Sequence, residues 1–579
     1  MKVKNFSWKI GGEAGYGIMS TGLIFSKIFS KKGYFVVDGN EYPSLVRGGH
    51  NTYSVRVSTS KIDSIVKDID MLVALNEETV NIHLDEMTYG GYLIHDENDK
   101  GLERLKDKRK DLKYLPFPFD KILEEIGAPS IVKNNIALGA SVALINYDLD
   151  ILLETIKENF KSKGKKIVDI NQEAARAGYN HFKKNTKTLA FELEIVQPKA
   201  KILVSGNDAV FLGAVRSGCK FYCAYPMTPA SSILHSFAAC ENDYNIIVKH
   251  AESEIAVVNM AMGASFAGVR SMIATSGGGF SLMNEGLSAT AMTETPLVIV
   301  LAQRPAPATG LPTWSEQGDM LFAVNSAHGE FLRVVIAPGD ALECFHLTGK
   351  AFNLAEKYQI PVIILLDKYL SESHFAIEGL DPKAINIERG KLISNKKNVG
   401  KNPKRYELMQ DGISPRPLLG LEGFEYIANT DEHDEKGFSD ESAQNRKNMM
   451  DKRFAKINEL IKEIPPPQTY GPEDASVTIL SWGSCKGPIL EALKILNQKN
   501  QKANLIHFNY LYPFNLEAFN KLMQRPSRKV VVENNKTSQL SKIIMLNTGI
   551  KIKNKILKYS GRQFLPNEII HGVEETLNE

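Results

Sequence analysis

Short apolar runs alternate with amphipathic stretches along most of this chain, and this pattern predicts alternating strands and helices. The chain opens with a strand, NFSWKIGG, followed by the loop GGEAGYG, a helix and a second strand, YFVVDG. A second series starts at Lys201, where KILVSG, KFYCAYP, IIVKHA, SMIATSGGG, PLVIVLAQ and PVIILLD are predicted as strands with helices between them. A last series begins at SVTILSWGS. The predicted fold class is therefore α/β.

The spacing of these series divides the chain into four predicted parts: an N-terminal α/β domain at 1–190, a second α/β domain at 200–372, a connector at 373–470 and a C-terminal α/β domain at 471–579. The connector contains long polar runs such as KNVGKNPKRYELMQ and is predicted to be ordered but partly extended. The second domain is predicted to form a doubly wound parallel sheet, in which ligands bind at the carboxyl ends of the strands.

Charge and composition exclude several classes of function. The 579 residues include 70 basic and 67 acidic side chains, a near balance that gives no support to a nucleic-acid or membrane-surface role. The N-terminal sequence shows no secretion signal and the apolar runs are shorter than a membrane span, so we expect a cytoplasmic protein. The five cysteines include no CxxC pair, which favours reduced core thiols over an iron–sulfur cluster held by this chain.

Polar groups follow four of the strands predicted in the second domain. YPMTPASS places Thr228 in a proline-stiffened turn, HAESE brings Glu252 and Glu254 to the start of a helix, TSGGG supplies three glycines, and AQRPAPATG supplies Arg304. Taken singly, each has a plain structural explanation. These are a helix cap at Thr228 or Ser231, first-turn acids that suit the helix dipole, a tight turn and a surface ion pair. Their occurrence together at one sheet edge favours a ligand site that binds a carboxylate through Arg304.

These motifs, in this order, resemble the 2-oxoacid:ferredoxin oxidoreductases, in which YPITPSS and TSGPG are signatures. SPRPLLG and NTDEHDEKG resemble the alpha subunit of the 2-oxoglutarate-type members, and VVENNKTSQL resembles its transketolase-C-like domain. GGEAGYG with YPSLVRGGHNTYSVRVS resembles the separate gamma subunit of the family. The resemblance spans the chain and implies a gamma–alpha fusion with a pyrimidine-type thiamine-diphosphate-binding sheet between the gamma-type and transketolase-C-like domains. Four positions depart from the usual residues: Met227, Ala230, Gly278 and Ser538.

The resemblance also implies roles for individual residues. Glu254, rather than Glu252, would be the catalytic residue that hydrogen-bonds the aminopyrimidine ring of thiamine diphosphate and drives it to the imino tautomer. Thr228 and Arg304 would bind the 2-oxoacid, Arg304 through its carboxylate. The cofactor-binding positions implied are Tyr225, Pro226, Glu254, Gly277 and Gly278.

Two sequence features that enzymes of this family need for cofactor and cluster binding are missing from this chain. It has no GDG motif in the context that binds Mg²⁺ and the diphosphate, and no cluster-binding cysteines. The resemblance therefore implies a beta subunit that carries the diphosphate-binding domain, Mg²⁺ and an iron–sulfur cluster, with ferredoxin as electron acceptor. In the N-terminal loop, possible contacts to coenzyme A are Gly12, Gly15, Gly17 and Arg47. A glycine turn in an α/β scaffold is the alternative explanation of that loop.

The implied reaction is oxidative decarboxylation of a 2-oxoacid with coenzyme A, which yields acyl-CoA, CO₂ and reduced ferredoxin. The connector favours 2-oxoglutarate as substrate, ahead of pyruvate and branched-chain 2-oxoacids. Two other functions stay open from the sequence: a subunit of a non-redox thiamine enzyme, and an inactive scaffold subunit.

Overall fold

The computed structural model describes residues 2–45, 48–99, 108–186, 189–197 and 199–578. The chain forms two compact units. The first comprises Met1–Val204, Glu372–Gly379 and Leu565–Asn567, and the second comprises Ser205–Ser371, Leu380–Phe564 and Glu568–Glu579. The predicted α/β class is confirmed, because each unit is built on sheets covered by helices.

The first unit is built on an eight-stranded mixed sheet. Asn5–Glu13 lies near its centre, antiparallel to His50–Ser58 and parallel to Ile69–Ala74. In spatial order its strands are Lys113–Phe117, Met87–Asp96, Ile69–Ala74, Asn5–Glu13, His50–Ser58, Phe35–Glu41, His374–Ile377 and Ile202–Ser205. A two-stranded sheet pairs Lys2–Val3 with Glu192–Leu193.

Six described helices accompany this sheet: Ile18–Lys31, Glu77–His83, Phe119–Glu125, Lys133–Leu144, Leu149–Phe160 and Lys165–Asn185. The helix Ile18–Lys31 packs its apolar face onto the sheet, where Phe25 stacks on Trp8 with ring centroids 4.2 Å apart. Both rings are fully buried. Burial of an aromatic pair of this size removes a large apolar area from water and fixes the helix on the sheet.

One strand lies in a different sheet from the one predicted. The strand Ile202–Ser205 does not open the second domain but forms the edge of the first sheet. The chain is held there by contacts with segments distant in the sequence, since the backbone N–H of Lys201 donates to Ser30 O at 2.9 Å and its ammonium lies 3.9 Å from the centre of the Phe35 ring. An apolar run identifies a strand, but its partner depends on such long-range contacts.

The second unit contains the predicted doubly wound parallel sheet. Its strands, in spatial order, are Ile247–His250, Phe221–Ala224, Ser271–Thr275, Leu297–Gln303, Pro361–Asp367, Val334–Ile336 and Tyr510–Tyr512. All neighbours run parallel except the last pair. Its helices are Gly206–Arg216, Ser231–Ala239, Glu241–Tyr244, Glu254–Phe266, Gly277–Leu282, Asn284–Met292, Met320–Asn325, Ala341–Tyr358 and Lys368–Glu372.

A five-stranded sheet forms the C-terminal part of the second unit. Gln468–Tyr470 is its antiparallel edge, and the other strands run parallel. The spatial order is Gln468–Tyr470, Ala503–Phe508, Val477–Trp482, Arg528–Glu533 and Asn554–Leu557, with helices Lys486–Gln498, Leu516–Met523, Gln539–Thr548 and Pro566–Asn578.

The connector contains little regular structure but is firmly held. Between His374–Ile377 and Gln468–Tyr470, which belong to the eight-stranded and five-stranded sheets, it contains the strands Leu392–Ile393 and Arg416–Pro417 and the α-helices Ala443–Ala455 and Ile457–Leu460. The carboxylate of Glu294 is buried and pairs with Lys452 and, at 2.6 Å, with Lys456. Arg405 donates to the Glu294 carbonyl at 2.8 Å. Because removal of one partner would leave a buried charge unpaired, these contacts anchor the connector to the parallel sheet domain.

Candidate functional site

The candidate site lies at a reversal in the strand order of the parallel sheet. From Phe221–Ala224 the chain goes outward to Ile247–His250, then returns to Ser271–Thr275 on the other side of the first strand. At such a point the loops that follow the two inner strands separate and leave a crevice at their carboxyl ends. The segments that begin at Tyr225 and Ser276 enter this crevice.

The first of these segments holds Tyr225, Pro226 and Thr228. Tyr225 and Pro226 are exposed, and Thr228 is half-buried. The helix that follows is Ser231–Ala239, and Ala230 stands at its cap position without a side-chain hydrogen bond. The predicted cap at Thr228 or Ser231 is therefore wrong: Ala230 already has helical dihedral angles, and its N–H is satisfied by Met227 O at 2.9 Å.

Glu254 is the first residue of the helix Glu254–Phe266, and Ser253 caps this helix through a bond from Ala256 N. The Glu254 side chain is buried, with 4% of the residue exposed, whereas Glu252 is exposed. Among the described residues no group donates to its buried Oε1 atom. A buried carboxylate oxygen without a partner is costly, and it is the atom that a ligand N–H could satisfy.

The glycine turn, Gly277–Gly279, lies directly against this carboxylate. A methyl group placed on Gly279 would lie 2.7 Å from Glu254 Oε1 and 2.1 Å from Thr275 Oγ1, so only glycine fits. Nothing lies within 4 Å of the corresponding position on Gly278, which faces open space. These glycines form the first turn of the helix Gly277–Leu282 rather than a loop before it. The Ser276 hydroxyl that precedes them is buried and has no partner in the described part of the chain.

Arg304 follows the strand Leu297–Gln303 and reaches back across the crevice. Its Nη1 donates to the carbonyl oxygen of Thr228 at 2.7 Å, so the two predicted substrate-binding residues are in direct contact. Burial lowers the pKa of Arg304, and the charge of Asp319 acts in the opposite direction. The guanidinium is therefore a partly desolvated cation held in place from one side, which suits a planar anion such as a carboxylate.

Asp319 belongs to this site and was missed by the sequence analysis. Its N–H donates to Gln303 Oε1 at 2.9 Å, and its Oδ2 atom is buried with no described partner. A methyl group on Gly277 would lie 2.7 Å from that oxygen. Burial raises the pKa of Asp319 to about 6, with the Arg304 charge opposing. The only sequence signal was an acid in WSEQGDM shortly after the Arg304 loop.

The N-terminal glycine loop lies in the first unit and has different surroundings. Gly12 packs against Leu75 and Tyr16, and Gly17 has φ 67° with Asn134 Nδ2 2.5 Å from the position that a Cβ would take. Gly15 has φ 100° and nothing within 4 Å of its added methyl position. Arg47 lies outside the described residues.

The crevice fits the aminopyrimidine end of thiamine diphosphate on its donor and acceptor chemistry. Three polar atoms without a described partner, Glu254 Oε1, Ser276 Oγ and Asp319 Oδ2, line the glycine turn. An aminopyrimidine carries both N–H donors and ring-nitrogen acceptors, which could satisfy such groups.

The described residues contain no group of three His, Cys, Asp or Glu side chains placed to hold a metal ion. All five cysteines are free thiols, four of them buried. In the part of the chain that the structure describes, no helix is long and apolar enough to cross a membrane.

Two family models match the chain. Residues 212–452 match "Pyruvate flavodoxin/ferredoxin oxidoreductase, thiamine diP-bdg", and residues 7–181 match "Pyruvate ferredoxin/flavodoxin oxidoreductase". The first match contains the crevice, which defines the parallel sheet domain as a thiamine-diphosphate-binding domain.

Curated relatives and a solved structure resemble the chain over most or all of its length. The 2-oxoacid:ferredoxin oxidoreductase subunit alpha of Saccharolobus solfataricus is 34% identical over 99% of this chain and 98% of its own length. The 2-oxoglutarate synthase subunit KorA of Methanothermobacter thermautotrophicus is 32% identical over 64% of this chain and 97% of its own. A 2-oxoglutarate:ferredoxin oxidoreductase from Magnetococcus marinus, solved with 2-oxoglutarate, coenzyme A and succinyl-CoA bound, superposes with a TM-score of 0.92 at 32% identity, covering 99% of this chain and all of that one. The chain belongs to the 2-oxoacid:ferredoxin oxidoreductase alpha-subunit family.

Proposed function

We propose that this chain is a gamma–alpha fusion subunit of an enzyme that oxidatively decarboxylates a 2-oxoacid, with 2-oxoglutarate as its substrate. In the balanced reaction the 2-oxoacid and coenzyme A give acyl-CoA, CO₂, one proton and two electrons, which pass to ferredoxin. The observation that carries the proposal is the buried Oε1 atom of Glu254, which has no partner among the described residues and lies against Gly279 in the crevice of a thiamine-diphosphate-binding domain. The match of residues 7–181 to a second oxidoreductase model supports the fusion.

Each site residue then has a distinct task. Glu254 Oε1 accepts a hydrogen bond from the aminopyrimidine ring and holds the cofactor in its reactive orientation. Thiamine diphosphate, when bound, supplies the electron sink that allows the bond between the carboxylate and the carbonyl carbon to break. Arg304 binds the substrate carboxylate and is itself held by the carbonyl of Thr228, a half-buried residue that also binds the 2-oxoacid. Tyr225, Pro226, Gly277 and Gly278 line the space that the cofactor occupies.

Several parts of the reaction belong to other molecules in this proposal. A beta subunit supplies the diphosphate-binding domain, Mg²⁺ and an iron–sulfur cluster, because the sequence of this chain has no GDG motif and no cysteine cluster. Coenzyme A approaches the N-terminal glycine loop at Gly12, Gly15, Gly17 and Arg47. The open space at Gly15 supports this placement. The assembled complex, rather than this chain alone, is then the active enzyme.

The test is anaerobic reduction of a viologen dye by the complex purified through a tag on this chain. Thiamine diphosphate, Mg²⁺ and coenzyme A are supplied, and 2-oxoglutarate, pyruvate and 2-oxoisovalerate are compared as substrates. We expect dye reduction that depends on coenzyme A, with a higher kcat/KM for 2-oxoglutarate than for the other two substrates. Faster turnover of pyruvate or 2-oxoisovalerate would contradict the substrate assignment. No reduction with any of them, by a complex that retains its partner subunit, would contradict the reaction itself and favour a non-redox or scaffold subunit.

A further inference from the structure

The loop that delivers Asp319 to the crevice is held by the C-terminal part of the chain. This Asp319 loop, residues 315–321, follows the Arg304 region and includes the first two residues of the helix Met320–Asn325. It is mostly irregular in backbone, so its position depends on bonds to neighbouring elements rather than on a helix or sheet ladder. Three of those neighbours, Asn534, Asn535 and Gln539, belong to the segment that follows the strand Arg528–Glu533.

Two amide side chains hold the backbone of this loop. Asn535 Nδ2 donates to Gln317 O at 3.1 Å, and Gln539 Nε2 donates to Gly318 O at 2.6 Å. The Gln539 amide also accepts from Leu321 N at 2.8 Å, so it holds the loop on both sides of Asp319. One side chain thus satisfies a carbonyl immediately before Asp319 and an N–H two residues after it.

Main-chain and buried side-chain bonds add to this attachment. Gln317 N donates to Asn534 O at 2.7 Å, and Gln317 Oε1 accepts from Asn534 N at 3.2 Å and Cys485 Sγ at 3.3 Å. Gln317 is fully buried. The loop is therefore attached to the five-stranded sheet domain immediately before the residue that faces the crevice.

The other side of the loop contacts the site. Asp319 N donates to Gln303 Oε1 at 2.9 Å, next to Arg304, and the carboxyl lies against Gly277. The loop thus bridges the C-terminal sheet domain and the crevice through a continuous set of hydrogen bonds. No described group donates to Asp319 Oδ2, so the bonds to the loop backbone fix the position from which this side chain projects.

We propose that Asn535 and Gln539 are positioning residues that fix the Asp319 carboxyl beside Arg304 and the glycine turn, and that they thereby set the affinity for the 2-oxoacid. The C-terminal sheet domain then acts on the substrate site from a distance. This inference rests on the proposed function, because it assumes that Arg304 binds the substrate carboxylate. Glu254 lies on a separate helix with its own cap, so loosening of the loop leaves it in place.

The first experiment compares Gln539→Ala with Asn547→Ala in the assembled complex. Asn547 is an exposed residue on the same helix, and in the described part of the chain its amide donates to Ile543 O, so its loss does not touch the loop. Loss of two hydrogen bonds in Gln539→Ala should raise the KM for 2-oxoglutarate about tenfold, with kcat changed by less than about threefold. Unchanged KM in Gln539→Ala would overturn the proposal.

A double-mutant cycle shows whether Gln539 acts through Asp319. In the Asp319→Asn background, Gln539→Ala should add little to the rise in KM, since both changes affect one element. Full additivity of the two effects would contradict action through Asp319. Gln539→Glu, which keeps the volume and the acceptor but loses the donor, serves if the alanine variant fails to assemble, and we expect an intermediate KM.

Hydrogen exchange provides a readout that does not depend on the reaction. The Leu321 amide should exchange faster in Gln539→Ala, and at the wild-type rate in Asn547→Ala and Glu254→Gln. Unchanged exchange at Leu321 would overturn the positioning role even if catalysis falls. Faster exchange with no viologen reduction by the wild-type complex would instead locate the failure in the proposed function and leave the attachment of the loop intact.

Discussion

Two glycine turns in this chain join a strand to a helix, and they differ in the side chains that contact their glycines. In the first unit the turn before the helix Ile18–Lys31 is packed by the protein's own side chains, among them Tyr16 at Gly12 and Asn134 at Gly17. In the second unit the turn Gly277–Gly279 meets two carboxyl groups whose buried oxygens have no described partner. Gly12 and Gly17 thus support packing in the first turn, where Gly15 faces open space, whereas the second turn leaves unsatisfied polar atoms for a ligand.

The largest expected effect follows from removal of the charge at the second turn. Glu254→Gln should lower viologen reduction by the complex on the order of 10²–10⁴-fold, because the amide cannot serve as the anionic acceptor for the cofactor ring. Exposed Glu252 is the matched control, and Glu252→Gln should stay within about twofold of wild type. Full activity of Glu254→Gln would refute the catalytic assignment and weaken the contrast between the two turns.

The next effect follows from steric crowding at the same turn. In Gly279→Ala the new methyl group would meet Thr275 Oγ1 and displace the Glu254 carboxylate, so activity should fall about 100-fold. Gly263→Ala is the control, since that glycine lies in a helix with nothing within 4 Å of the added methyl. If both variants had the same steady-state activity, close approach of Glu254 to the turn would have no role in catalysis.

At the first turn we expect loss of stability instead. Gly17→Ala places a methyl 2.5 Å from Asn134 Nδ2 at φ 67° and should destabilise the first unit by about 1–3 kcal/mol. Gly127→Ala, at φ 60° with nothing within 4 Å, carries backbone strain alone and should cost less. Thermal unfolding of both variants measures the difference. Equal unfolding temperatures would show that the Asn134 contact does not limit the first turn.

The smallest effect is the pH dependence of stability at Asp319. Burial raises the pKa of this carboxyl in the folded chain to about 6 from 3.8, so stability falls as pH rises between these values and is constant above them. Asp319→Asn removes that loss, by about 3 kcal/mol at most and by less where solvent screens the charge. The unfolding temperature of the variant relative to wild type should therefore be higher at pH 7.5 than at pH 4. An equal difference at both values would contradict burial of the carboxyl.

The sequence predicted the fold class, the doubly wound sheet and the strand ends that carry Thr228, Glu254, the glycine turn and Arg304. It did so because apolar runs mark buried parallel strands, and parallel strands bring their carboxyl ends to one edge. The prediction was wrong about the sheet that the strand Ile202–Ser205 joins, because long-range contacts decide it. It was also wrong about the cap of the helix Ser231–Ala239, because the backbone geometry at Ala230 decides it. The roles of the site residues stay predictions.

What the sequence determined by itself is local: the type and order of elements and the polar residues at their ends. The tertiary structure decided which of two nearby acids, Glu252 or Glu254, is buried, and that Asp319 reaches the same crevice. It also brought Gln539 to Gly318 across 221 positions of the chain. Burial and hydrogen bonding of a polar group depend on what packs against it, and such neighbours come from distant segments that a local pattern does not specify.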